Sequence, residues 1–247
     1  MKKWLLGVGL FLILAVPAVA SQVPTDPNFM DMAKLTSSKD FSYTVNLLIF
    51  MTMLSLIPFF LISTTSFLRI TIVFSMLRNA LGTQQTPPNA ILISLSLFMT
   101  IFVMTPTFNE VNRVAIQPFS AGQISQKEAF DRGIKPVRYF MLKYTREKDL
   151  ALFVEFSGLK NVKTIQEVPV FVIIPAFIIS ELKTAFQIGF LLFVPFVVID
   201  LIVSNILLSL GMFMLSPVMI SLPFKILLFV LTDGWNLITR GLLLSYR

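Results

Sequence analysis

The sequence predicts an all-α membrane protein built from helical hairpins with broken helices. Three observations carry that expectation. Of the 247 residues, 55% are hydrophobic and only 13% charged, whereas soluble domains carry about 25% charged residues. The mean hydropathy is +0.82. Apolar runs of membrane length alternate with short polar turns, and prolines interrupt the runs. The chain has no cysteine and no histidine. That excludes disulfides, thiolate or histidine metal sites, and Ser–His or Cys–His nucleophiles. No enzyme and no cofactor are expected. A net charge of +7 in so apolar a chain points to membrane topology and anionic lipid rather than nucleic acid.

The elements follow in order. Residues 1–20 read as a cleavable signal peptide: Lys2 and Lys3, an apolar core from Leu5 to Val16, then Ala18-Val19-Ala20. The core is shorter than the ~20 residues of a span. Cleavage places the mature N-terminus outside the cytoplasm. Residues 21–42, with Pro24 and Pro27, form an exposed lead-in. Residues 43–106 read as a helical hairpin. Val45 to Ser63 is broken at Pro58, a turn runs from Gly82 to Pro88, and a second apolar arm from Ala90 is stopped by Pro106.

Residues 107–167 are a polar helical region with ten Lys/Arg against seven Asp/Glu, on the non-cytoplasmic side. Ser125-Gln126-Lys127-Glu128 is a capping-box signature. Phe130, Ile134, Val137, Met141 and Tyr144 then mark one apolar helix face. Gly133 and Pro136 predict a kink or break in it. The net charge of this region, +3, runs against the positive-inside tendency, which weakens for loops of about 60 residues. Residues 168–247 return to the apolar pattern. Pro175, Pro195, Pro217 and Pro223 predict discontinuous helices there.

Charges inside this last stretch mark function. An ionisable group in a membrane segment costs roughly 2.5–3.5 kcal/mol on insertion scales. Glu181 and Lys183 are two apart, so on a helix they point apart and each needs another partner. Asp200 is a candidate for Lys183. Lys225, or a basic residue of 107–167 such as Arg146, is a candidate for Glu181. Pairing within the chain and pairing between subunits both remain open. Asp200 with Ser204, and Asn205 with Ser209, make a polar strip.

Gly211-Met212-Phe213-Met214 follows the strip and precedes Ser216-Pro217. The methionines either fill a core or, in a ring of identical subunits, form a soft apolar constriction. Two carboxylates alone resemble no intramembrane protease. A monomeric ion or solute transporter relaying protons between Glu181 and Asp200 is the competing class, but the two halves show no inverted repeat.

At these residues the chain resembles the FliP/SctR family of type III secretion export gates. Pro175 through Phe190 and Pro223-Phe224-Lys225 through Asp233-Gly234-Trp235 match two signatures. Thr65 through Ile70 and Arg78 through Gln85 match the N-terminal hairpin. Together they cover most of residues 50–247. The resemblance implies a ring-like helical gate with FliQ and FliR, of roughly five copies of this subunit around one FliR. It implies FlhB-like and FlhA neighbours, unfolded flagellar cargo, and a place in the inner membrane at the flagellar basal body. Much of the chain would lie on the periplasmic side. Met212, Phe213 and Met214 would be the pore gasket, with Phe213 departing from an all-methionine loop. Glu181, Lys183, Asp200, Lys225 and Arg146 would hold helices or subunits in register. An SctR-type subunit of a virulence injectisome is the alternative.

Overall fold

The computed structural model describes residues 38–83, 85–158 and 165–247. The expected signal peptide lies outside them, as does most of the expected lead-in. Every regular element among the described residues is helical, as the composition predicts. The chain divides into two compact units, Met1–Pro58 and Phe59–Arg247.

In the first unit the described residues belong to helix α1, Ser38–Thr64, which runs through Pro58. Leu48, Ile49, Met51, Leu54 and Leu56 are exposed along it. Inside the second unit, α2 (Phe67–Leu81) is the central helix. Its residues Ile70, Val73, Phe74 and Leu77, at spacings of three and four, are fully buried. Gly82 ends it in a left-handed conformation with φ 79°, a backbone state that glycine adopts without a Cβ penalty.

Helix α3 (Asn89–Val111) passes Pro106 without stopping. It runs on through a π-helical turn, Asn112–Ile116, into α4 (Gln117–Ser120). Helix α5 (Gln126–Tyr144) starts where the capping signature places it, with Ser125 Oγ accepting from the Glu128 N–H. It continues past Gly133 and Pro136, and its inward face is the expected one except at its start: Ile134, Val137 and Tyr144 are half-buried. Met141 and Phe140 are buried, whereas Phe130 is 69% exposed. Helix α6 spans Glu147–Phe156, and a 3₁₀ turn, Ile165–Glu167, leads to α7.

Helix α7 (Val170–Ser209) is one continuous helix of 40 residues, about 60 Å long at 1.5 Å per residue. The breaks expected at Pro175 and Pro195 do not occur. A proline inside a helix loses one hydrogen bond at a cost of ~3 kcal/mol, and packing offsets it. The buried stripe of Val172, Ile173, Ala176 and Phe177 runs across Pro175, and Met104 and Ala115 are buried on either side of Pro106. The first half of α7 packs on α2 so closely that a Cβ at Gly189 would lie 2.2 Å from Met76 Sδ. Beyond it, Phe190, Leu191, Val194, Val197, Val198, Leu201 and Ile202 are exposed.

Helix α8 (Pro217–Leu231) folds back on α7, and α9 (Gly234–Leu244) departs from α8 at 63°. The bend falls at Asp233, the one non-glycine residue with positive φ among the described residues. The Phe229 ring occupies the space where a Gly234 Cβ would stand, 2.2 Å away. That is the physical reason for the Asp233-Gly234-Trp235 signature: the sharp turn needs a residue without a side chain under the ring. Among the described residues, Val45–Thr64, Asn89–Ser120 and Val170–Ser209 are long and apolar enough to cross a membrane, and the bent α8–α9 pair adds a fourth candidate.

Candidate functional site

Three charge clusters tie the helices of the second unit together. The deepest centres on Glu181, which is fully buried. Its position belongs to the buried stripe of α7, whereas Lys183 falls off that stripe. Arg69, on α2, donates from Nε to Glu181 Oε2 at 2.9 Å and from Nη2 to Oε1. The Tyr246 hydroxyl donates to Oε2 as well. Arg69 also donates from Nη1 to the Ser245 carbonyl at 3.3 Å and the Ser245 hydroxyl at 3.1 Å. Its guanidinium lies 4.0 Å from the Tyr246 ring centroid. The Tyr144 hydroxyl donates to the Tyr246 carbonyl at 2.5 Å. A two-pronged arginine–carboxylate pair with its remaining valences filled is the arrangement that makes burial of two charges tolerable.

The expected partners of Glu181, Lys225 and Arg146, are therefore not the ones it has. Arg146 donates instead to Thr184 Oγ1 at 3.1 Å and Gln187 Oε1 at 2.6 Å. Lys183 likewise pairs with Asp149 rather than Asp200. Asp149 sits in the first turn of α6, where the helix dipole favours an anion, and accepts from the Ser180 hydroxyl at 2.8 Å. Burial works to raise the Asp149 pKa, but the hydrogen bonds from Lys183 and Ser180 outweigh it and hold the carboxyl below its ordinary value. Ser180 Oγ in turn accepts from the Arg146 N–H at 3.0 Å.

The third cluster joins α7 to α8. Lys225 Nζ, almost fully buried, donates to Asp200 Oδ2 at 2.6 Å and to the Ala80 carbonyl at the end of α2 at 3.4 Å. The Ser221 hydroxyl donates to Asp200 Oδ1. Between Asp200 and Lys225 the chain turns over at residues 210–216. Here Gly211 takes φ 75°, and the Met212 N–H closes the turn on the Leu207 carbonyl at 2.9 Å. Met212, Phe213 and Met214 project from this tip, and Met214 is 99% exposed. A methionine with that exposure adds nothing to the packing of its own chain. The polar strip is only partly inward: Ser204 is half-buried, and Asn205 is exposed.

Arg69, Tyr246, Asp149 and Ser221 are the members of these clusters that pattern reasoning does not single out. Arg69 carries the same signal as Glu181, a charge flanked by apolar residues on both sides. Asp149 lies in a region already rich in charge and carries no such contrast.

Apolar helices of spanning length, buried ion pairs and an exposed methionine tip define an α-helical membrane protein whose charges serve helix packing. The comparisons give the family. The FliP family profile matches residues 50–242. The chain is 49% identical over 218 residues to the flagellar biosynthetic protein FliP of Bacillus subtilis (strain 168), covering 88% of this chain and 99% of that one. It is 46% identical over 240 residues to FliP of Pectobacterium carotovorum subsp. carotovorum, covering 97% and 92%. It is 46% identical over 238 residues to FliP of Aquifex aeolicus (strain VF5), covering 96% and 97%. The chain belongs to the FliP family.

Proposed function

We propose that this chain is a core subunit of the flagellar type III protein export gate in the bacterial inner membrane. Together with FliQ and FliR, several copies of it form a pore for unfolded flagellar subunits, near FlhB-like and FlhA proteins. Family membership supports the flagellar assignment, and the names of the relatives carry it. The observation that supports the pore reading is the α7–α8 tip. An apolar trio, Met212, Phe213 and Met214, stands exposed at the end of a hairpin, where copies arranged about an axis would meet. Unbranched methionine side chains repack around a passing chain and close again behind it. The gate acts by passive opening and closing, not by catalysis. The polar region 107–167 lies on the periplasmic side, and residues 1–20 are removed.

Two measurements test this. The native mass in mild detergent of the chain co-produced with its partners should be that of a ring-like assembly; a monomer would refute the gate. Replacing Met212 and Met214 together with alanine should raise ion leakage across vesicles holding the complex. Unchanged conductance would refute the seal.

A further inference from the structure

The α7–α8 hairpin has a second point of attachment, below its tip. Lys225 is 3% exposed and faces two elements at once. On α7 it meets Asp200, and on α2 it meets the Ala80 carbonyl, one of the last carbonyls of that helix. Carbonyls at a helix C-terminus lack intrahelical donors and carry the negative end of the dipole, so an ammonium is the complementary group. The turn that follows α2 rests on the first half of α8. A Cβ at Gly82 would lie 3.7 Å from Leu222 Cδ1, 4.0 Å from Lys225 Nζ and 4.0 Å from Val218 Cγ1. Ser221, fully buried, fills the other oxygen of Asp200. The leg of the hairpin that leaves the tip is thus pinned to the end of α2, within the first three turns after Pro217.

We infer that Lys225, Asp200 and Ser221 are positioning residues for the exposed tip, forming a clasp that fixes residues 210–216 relative to the turn after α2. The clasp acts through α8 and touches no cargo. It works as a unit because Lys225 reaches both α7 and α2. This rests on the reading of Met212–Met214 as the seal, and the test separates the two.

The chain holds no cysteine, so a spin-label pair is introduced with Gln85→Cys and Leu215→Cys, both exposed positions. Labelled chain is diluted into unlabelled complex and the 85–215 distance distribution is measured, with ion leak read on the same vesicles. Lys225→Met keeps the side-chain length and removes the charge. It is expected to broaden the distribution and raise leak about tenfold, the factor that ~1.4 kcal/mol of lost closed-state preference gives. Lys225→Arg should restore a narrow distribution, which a purely packing role for the side chain would not require. If Lys225→Met fails to assemble, Ser221→Ala, which removes one hydroxyl from the same cluster, is expected to broaden the distribution less. A distribution that stays narrow in both variants overturns the clasp, whatever the leak does. A broadened distribution with unchanged leak upholds the clasp and refutes the seal.

Discussion

Replacing Glu181 with leucine tests the deepest of the three clusters. Glu181 is fully buried and Arg69 is 3% exposed, so the substitution leaves an arginine cation in the core without its anion. Breaking a buried pair from one side costs about 3–5 kcal/mol. Arg69 keeps its bonds to Ser245 at 3.3 and 3.1 Å and its place over the Tyr246 ring, which puts the expected cost near the lower end, ~3 kcal/mol. For a chain of this size each kcal/mol moves the melting midpoint by about 2–4 °C, so a drop of roughly 6–12 °C is expected in detergent by intrinsic tryptophan fluorescence. Trp235 reports well, since its ring packs on Phe74 and Phe229. Adding Arg69→Met should recover most of the loss, because the double variant holds no uncompensated charge. If the double variant melts at the sum of the two single losses, the pair is not coupled and the account of the core is wrong. The single variant should also weaken association between subunits, since α7 would no longer be held on α2. An assembly that survives detergent unaltered would remove that role from Glu181.

Three further outcomes are expected. Gly234→Ala places a methyl against the Phe229 ring and should cost about 1–3 kcal/mol, read as a lowered melting midpoint that Phe229→Ala partly offsets. Gly189→Ala drives the methyl into Met76 Sδ, 2.2 Å away; the loss should shrink in a Met76→Ala background, and equal losses in both backgrounds would refute the contact. The Asp149 carboxyl lies below its ordinary value of 3.8 in the folded chain. Its stabilising contribution is therefore present above that value and lost as pH falls through the lower folded value. Asp149→Asn should flatten the fall of the melting midpoint as pH drops below that ordinary value of 3.8, and an unchanged acid slope would place the acid sensitivity elsewhere.

The helical class and the family were legible in the sequence because both rest on local signals, apolar run length and contiguous signature blocks. The ion-pair partners were not. Arg69 and Glu181 are 112 residues apart, and nothing local tells one buried cation from another as a partner. Lys225 is a sequence candidate for Glu181 and Asp200 for Lys183, whereas Lys225 and Asp200 pair with each other. The prolines misled for a different reason. Each one weakens its own turn, but whether a helix breaks depends on how much buried face continues beyond it. Pro175 sits among Val172, Ile173, Ala176 and Phe177, all buried, and the helix holds. The turn at Gly211 is a true break because no buried residue follows until Ser221.

The length of α7 has a mechanical consequence. Glu181, where the helix is anchored, and Leu210, where it meets the tip, are separated by about 44 Å of rod at 1.5 Å per residue. A tilt of ~5° at the anchor carries the tip sideways by ~4 Å, the scale of a side-chain contact. Sub-ångström adjustments around Arg69 and Tyr246 would therefore reach the methionines magnified. The stay that limits this lever is the attachment of Lys225 to Asp200 and Ala80, part of the way along its arm.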